Sequence, residues 1–392
     1  MINLFKPNVD IDDALIHYKE TLESGWFGRG NMNNKFEELL SNFLGVKKDQ
    51  VHTVSSCTDA IFAICDSLSL MESDIVIVPT NSFPSVPTAV LASGAKLEIL
   101  DIDISTGNIC INELEKFCKN QTPSAIFVTD YGGIPVDVKK LKKVVGKNCL
   151  ILVDAAASLG TSLVNNTSYI HKSADFVCYS FDAMKLITTG EGGAAVIKNK
   201  KLMQKFKEFT YLGLPARSKS GLDVAKSKGL AGWWEYDITC LGRRAVMSNL
   251  AASLGVSQMK GINKKLKIRS KNRKLYESSL ASLEDIKFIS QSVKKYNYSN
   301  YFCTIYSSRR DDLALYLLEN GVYSSFRYWP INKISFFKDF CKDNDYPNSN
   351  FMAYNALNLP IHDSLNGKDI KKITSLIIEF YKTNEKNQTI RE

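Results

Sequence analysis

From about residue 48 to residue 200, short β-branched runs alternate with segments whose apolar positions recur at helical spacing. Seven runs read as strands: VHTVSS, DIVIVPT, KLEILDID, SAIFVTDYG, CLILVDAAAS, DFVCYSF and GGAAVIKN. Between the early ones lie the helical patterns TDAIFAICDSL, INELEKFC and DVKKLKKVVG. This rhythm predicts an α/β domain on a mostly parallel, seven-stranded sheet. In such sheets ligands gather at the carboxyl ends of the strands. After about residue 250 the texture changes to long helical patterns with one further β-rich part, YFCTIYSS and VYSSFRYWP. We therefore expect a large domain over residues 1–255 and a smaller C-terminal α+β domain over 256–392.

Composition adds limits. The chain has 392 residues and is 44% hydrophobic, enough for a sizeable core. Its 50 Lys+Arg against 41 Asp+Glu give a formal charge of +9, which suits an anionic ligand and also suits an ordinary basic surface. The densest basic run, KGINKKLKIRSKNRK (residues 260–274), has no aromatic residue to stack on bases. Its Ile262, Leu266 and Ile268 read as the buried edge of a helix with a solvated basic face, so nucleic acid is not expected as a partner. Nine cysteines without C-x-x-C spacing and a polar N-terminus predict a reducing, cytoplasmic setting. No run is long and apolar enough to predict a membrane span. Four histidines far apart in sequence predict no metal site.

The candidate chemistry centres on YSFDAMKLITTGEGG, residues 179–193, where Lys185 stands among small, apolar and hydroxyl residues. Most lysines are solvated surface charges. Here an apolar strand precedes the lysine and a glycine-rich turn follows it, a setting that predicts a partly desolvated amine with a lowered pKa, free to form a Schiff base. Pyridoxal phosphate requires such a lysine, an acid for its pyridine nitrogen, an anion cradle and a flat partner for its ring. Asp154, closing CLILVD, suits the acid. SSCT (Ser55, Ser56, Cys57, Thr58), leading into a helix, suits the cradle, and Phe83 in VPTNSF suits the ring.

With those residues in place, the chain resembles the DegT/DnrJ family of sugar aminotransferases. The resemblance runs from LESGWFGRGN and KFEELLSNFLGV through VSSCTDAI, VPTNSF, SGAKLEILDID, DYGGIPVD, VDAAASLG and YSFDAMKLITTGEGG to LNLPIHDSL. It implies the fold type I aminotransferase architecture and pyridoxal 5′-phosphate as cofactor. It further implies that Lys185 bonds covalently to the cofactor and moves protons at the reacting carbon. Asp154 would hold the pyridine nitrogen, Phe83 would cover the ring, and Ser56, Cys57, Thr58 and Ser180 would bind the phosphate. Gly25 and Trp26 fall where the family's substrate loop lies. A homodimer with active sites shared across the interface is implied as well.

The sequence departs from the family pattern at several points. Ser56-Cys57-Thr58 stands for the usual Ser-Gly-Thr. Ala157 stands where an amide is expected near the cofactor's phenolic oxygen, and Asp182 and Met184 replace the usual residues before the lysine. In LGRRAVMSN, Arg244 occupies the position of an asparagine that reaches the neighbouring subunit's phosphate, with Arg243 beside it. These arginines could bind phosphate, an anionic substrate or only an interface partner.

The expected activity is transamination of a keto or aldehyde sugar with glutamate as donor. Arg243, together with Arg327 in FRYWP, suggests a sugar carboxylate. That points to formation of 8-amino-3,8-dideoxyoctulosonate from the 8-oxo sugar in lipopolysaccharide synthesis. A nucleotide-linked 3-keto or 4-keto sugar is the alternative. Related dehydratases carry histidine at the lysine position, so Lys185 argues against that activity. A non-catalytic regulator would need a DNA-binding module, which the chain does not display.

Overall fold

The computed structural model describes residues 1–164, 170–215, 234–289, 296–341 and 346–389. All seven expected runs form strands of one sheet: β1 (Val51–Val54), β2 (Ile75–Pro79), β3 (Lys96–Leu100), β4 (Ala125–Thr129), β5 (Leu150–Asp154), and, after the short β6 (Ser162–Leu163), β7 (Phe176–Ser180) and β8 (Gly193–Ile197). Their order is β1-β8-β7-β5-β4-β2-β3. Only β8 runs antiparallel to its neighbours. The parallel strands therefore end on one common edge.

Both faces of this sheet are buried, as continuous apolar runs predict. Side chains alternate between two cores. One face places Ile77, Ile126, Val128, Ile151, Val153 and Val177 with Phe36 and Leu40; the other places Val76, Val78, Phe127, Leu152 and Phe176 with Ile61, Ile64 and Phe206. The helices behind these contacts follow the chain: α1 (Ile11–Glu23), α2 (Asn31–Leu44), α3 (Cys57–Leu68), α4 (Ser85–Ala92), α5 (Ile111–Cys118), α6 (Val138–Val145) and α7 (Lys200–Phe209). The three quoted helical patterns correspond to α3, α5 and α6.

Next come α8 (Asn249–Lys260) and α9 (Ile262–Leu280), separated by Gly261. The proposed division after residue 255 falls inside α8. Beyond it, β9 (Lys287–Phe288), the short β10 (Tyr296–Asn297), β11 (Cys303–Tyr306), α10 (Arg310–Glu319), α11 (Pro347–Asn355), β12 (Ala356–Leu359) and α12 (Gly367–Thr389) follow. A three-stranded antiparallel sheet, β12-β11-β9, packs Cys303, Ile305, Leu357 and Leu359 against Ile370, Ile373 and Ile377. YFCTIYSS contains β11. VYSSFRYWP forms no strand and makes only the isolated bridges Ile2–Val322 and Ser325–Asn358.

The basic run corrects one expectation. Apart from Gly261 the run is helical, Ile262 is buried and Lys264, Lys267, Lys271 and Lys274 are exposed as expected, but the buried face of α9 also carries Lys265, Arg269, Asn272 and Arg273, while Leu266 and Ile268 are only partly buried. These cations are inside because they find partners. The Arg269 guanidinium lies 3.5 Å from the Asp363 carboxylate, and Lys265 Nζ donates to Gln258 Oε1 at 2.7 Å. Arg273 Nε donates to Glu277 at 2.7 Å. Burial of charge is tolerated when it is paired and hydrogen-bonded. No described helix is long and apolar enough to cross a membrane. All nine cysteines are free, and no cluster among the described residues could hold a metal ion.

Candidate active site

At the carboxyl edge of the large sheet a cavity of about 260 Å³ opens between the ends of β1, β2, β5 and β7. Its wall brings together Ser56, Cys57, Thr58, Phe83, Asp154, Ser180, Lys185 and Arg327, eight of the residues singled out in the sequence. The parallel strand directions explain this gathering, because loops far apart in sequence emerge side by side.

Lys185 sits on a tight loop after β7. Its N–H donates to the Asp182 carbonyl at 3.0 Å, and the Asp182 carboxylate accepts from Met184 N–H at 3.0 Å. Buried Phe181 and Ile187 anchor both ends, and the Phe181 carbonyl accepts from Thr189 N–H at 2.9 Å. The side chain is surrounded by protein, yet solvent reaches it from the cavity. Burial alone would lower the ammonium pKa, but the facing Tyr301, Tyr328, Asp154 and Cys57 outweigh it and hold the pKa above the usual amine range. The lowered pKa expected from the local sequence is thus reversed, since side chains contributed by distant segments converge on the amine.

Asp154 ends β5 with one oxygen accepting from Ala156 N–H at 3.0 Å. Its other oxygen has no hydrogen-bond partner among the described residues. Burial raises its pKa; the Ala156 N–H and Lys185 oppose that, and Asp130 adds to it. On the opposite wall, α3 begins. Ser56 is its N-cap, accepting from Asp59 N–H at 3.0 Å and donating to the Asp59 carboxylate at 2.8 Å, so this hydroxyl is already engaged. The helix start presses on β8: a Cβ on Gly193 would lie 2.5 Å from the Cys57 nitrogen. The last glycine of GEGG is therefore required for this approach, which carries the free N–H groups of α3 to the cavity.

Three aromatic or polar features complete the wall. Phe83 is 45% exposed and meets Tyr328 edge-on, with ring centroids 5.4 Å apart. Arg327 and Tyr328 are held by Arg327 N–H donating to Asn358 Oδ1 at 2.8 Å and by the Tyr131 hydroxyl donating to the Arg327 carbonyl. The Arg327 guanidinium lies 5.2 Å from the Phe5 ring centre. Tyr301, Tyr328, Ser85, Asp182, Met184 and Glu191 also line the cavity. Sequence reasoning had not assigned these to the site. The tyrosines lie in tyrosine-rich stretches, a signal that marks a region without selecting a residue.

Five sequence-selected residues lie elsewhere in the chain. Ala157 is buried outside the cavity lining, its carbonyl accepting from the Ser299 hydroxyl at 2.7 Å. Arg243 packs on the flank of α3, 4.7 Å above Phe62 and 3.8 Å from the Asp66 carboxylate. Arg244 lies over the Tyr211 ring at 5.4 Å. Gly25 and Trp26 are exposed, with Trp26 Nε1 donating to the Arg29 carbonyl at 2.8 Å. A larger cleft, about 1170 Å³, runs beside α9 and includes Lys267, Lys271 and Lys274. It contains none of the residues gathered around Lys185.

Residues 10–378 match the model of the DegT/DnrJ/EryC1/StrS aminotransferase family. The dTDP-4-dehydro-2,3,6-trideoxy-D-glucose 4-aminotransferase of Saccharopolyspora spinosa is 28% identical over 98% of this chain and 97% of its own. The UDP-4-amino-4,6-dideoxy-N-acetyl-β-L-altrosamine transaminase of Campylobacter jejuni (strain 81-176) is 28% identical over 95% of both chains. Among solved structures, the aminotransferase TlmJ of Streptoalloteichus hindustanus superimposes with a TM-score of 0.85 at 27% identity, over 96% of this chain and 98% of that one.

Proposed function

Because the chain belongs to the DegT/DnrJ/EryC1/StrS aminotransferase family, we propose that it aminates a nucleotide-linked 3-keto or 4-keto sugar with glutamate as donor. The family's sugar aminotransferases depend on pyridoxal 5′-phosphate. The observation that carries the reading is the convergence of Lys185, Asp154 and the start of α3 on one cavity. The residues fit the cofactor: the amine has no hydrogen-bond partner among the described residues, and the carboxylate keeps one oxygen unpaired. The relatives named above carry dTDP- and UDP-linked sugars in their names. Nothing supports the 8-oxo octulosonate expected from the arginines, and the nucleotide-linked alternative replaces it.

When bound, the cofactor supplies an aldehyde for amines and a ring that withdraws electrons from the reacting carbon. Lys185 Nζ takes and returns the proton at that carbon. Asp154 places negative charge beside the ring nitrogen and keeps it protonated. The N–H groups of α3, with the Thr58 and Ser180 hydroxyls, receive the phosphate. Cys57 at the first helical position narrows that cradle relative to glycine. Phe83 covers the ring, and Arg327 takes an anionic group of the substrate.

Gly25, Trp26, Arg243 and Arg244 lie outside the cavity of their own chain. A homodimer in which each copy extends these residues toward its partner's cavity accounts for them, and the exposed Trp26, Phe27, Tyr211 and Leu212 give that face apolar area. The experiment is a panel of dTDP-, UDP- and GDP-linked keto sugars and the 8-oxo octulosonate, assayed with glutamate. Turnover confined to the octulosonate would reject the proposal.

A further inference from the structure

Lys185, half-buried at the cavity, differs from the buried cations of α9 in its partners. Its Nζ makes no hydrogen bond or ion pair with any described residue, and it sits 4.7 Å from the centre of the Tyr301 ring. That ring is fixed. Tyr301 is 3% exposed and stacks on Phe5 with centroids 5.4 Å apart and an interplanar angle of 21°. Phe302 packs against it at 4.7 Å. Just before it, Ser299 N–H donates to Thr161 Oγ1 at 3.0 Å and the Ser299 hydroxyl donates to the Ala157 carbonyl at 2.7 Å, tying the segment to the loop after β5. The Tyr301 hydroxyl has no hydrogen-bond partner among the described residues, so the contact to the amine is through the ring face.

We propose that Tyr301 is a positioning residue for Lys185, its ring face holding the ε-ammonium in the cavity whenever the amine carries no covalent partner. This rests on the reading of Lys185 as the lysine that bonds to the cofactor. In each half of a transamination the lysine is released and must stay at hand. An aromatic face attracts a desolvated cation without exchanging a proton with it. A carboxylate in direct contact would instead pair with the ammonium and resist its deprotonation. The other titratable or charged groups around the amine are Asp154 from β5, Cys57 from α3, Tyr328 and Arg327 from the segment before Pro330, and Asp182 and Glu191 from its own loop.

The test follows the growth of visible absorbance when cofactor-free protein is mixed with pyridoxal phosphate, as a function of pH. Only the neutral amine reacts, so the midpoint reports the charge on Lys185. Tyr301→Phe keeps the ring face and should keep the midpoint. Phenylalanines with increasing fluorination at position 301 preserve shape while weakening the face, and should move the midpoint down stepwise by about one pH unit in total. A flat fluorination series overturns the inference. So does a shift on Tyr301→Phe as large as that of the fluorinated series, which would assign the effect to the hydroxyl. If wild-type protein develops no absorbance that Lys185→Ala abolishes, the cofactor-lysine reading falls and takes this inference with it. A flat series with normal wild-type absorbance removes the inference alone.

Discussion

Two regions of this molecule draw cations in from the surface, one fully and one in part, and treat them in opposite ways. Along α9, Lys265, Arg269 and Arg273 are each at most 7% exposed and each reaches polar partners. Arg269 lies near Asp363 and donates to the Asn300 carbonyl at 3.4 Å; Lys265 reaches Gln258 and the Asn8 carbonyl; Arg273 reaches Glu277 and the Ile289 carbonyl. At the sheet edge, the Lys185 amine has an aromatic face, two phenols and a carboxylate around it but no hydrogen bond to a described residue. A cation engaged on several sides can brace a fold, whereas one left without hydrogen bonds can change partners. Sequence position hid this contrast: a dense basic run turned out structural, and a solitary lysine turned out to face the cavity.

The largest effect should come from breaking the chemical side of the contrast. Lys185→Ala removes the proton carrier and should lower transamination by about 10⁴-fold or more. The amine makes no hydrogen bond to a described residue, so the unfolding midpoint should stay within about 2 °C of wild type. A steady-state assay and a thermal melt on the same preparation measure both. Full turnover by the variant would remove Lys185 from the mechanism. A large loss of stability would erase its difference from the α9 cations.

The structural side should respond in reverse. Arg269→Ala leaves Asp363 buried with only the more distant Lys265, 3.9 Å away, and should cost about 3–5 kcal/mol. Replacing both partners, as in Arg269→Met with Asp363→Leu, should recover part of that loss, because the buried carboxylate is gone and Lys265 keeps its hydrogen bonds to Gln258 and the Asn8 carbonyl. Urea unfolding of Arg269→Met, Asp363→Leu and the double variant measures the coupling. Additive losses would show that the pair is not an interacting unit.

Legibility in the sequence followed the same divide. The seven strands and the gathering of Ser56, Cys57, Thr58, Phe83, Asp154, Ser180 and Lys185 could be read because strand periodicity and parallel topology dictate which loops meet. The lysine's raised pKa could not be read, since it depends on Tyr301 and Tyr328, more than 100 residues downstream. The α9 face was misread in part because helical periodicity assigns faces by polarity, and here Asp363, Gln258 and Asn8 let Lys265 and Arg269 join Ile262 on the buried face. The surface placement of Arg243 and Arg244 was equally hidden, as nothing local distinguishes an arginine that packs on α3 from one that enters the cavity.

The smallest effect tests how far the α9 charges reach. His362 is 3% exposed, with Nε2 3.1 Å from the Asn3 carbonyl. Burial first and the Arg269 charge second push its pKa down from 6.5 to about 4. Above pH 6.5 the imidazole is neutral in both folded and unfolded chains, and its contribution to stability is fully present. As pH falls from 6.5 toward 4, the unfolded chain takes up the proton before the folded one, so stability is lost across that window. Wild type should lose about 1–2 kcal/mol more over this range than His362→Asn, measured as urea midpoints at matched ionic strength. Arg269→Met should shrink the same loss, because one of the groups depressing the imidazole is gone. Equal slopes in wild type and Arg269→Met, with a shallower slope in His362→Asn, would confine the influence of the α9 cations to their direct partners and leave burial to depress His362, whereas equal slopes in all three proteins would remove His362 from the pH dependence altogether.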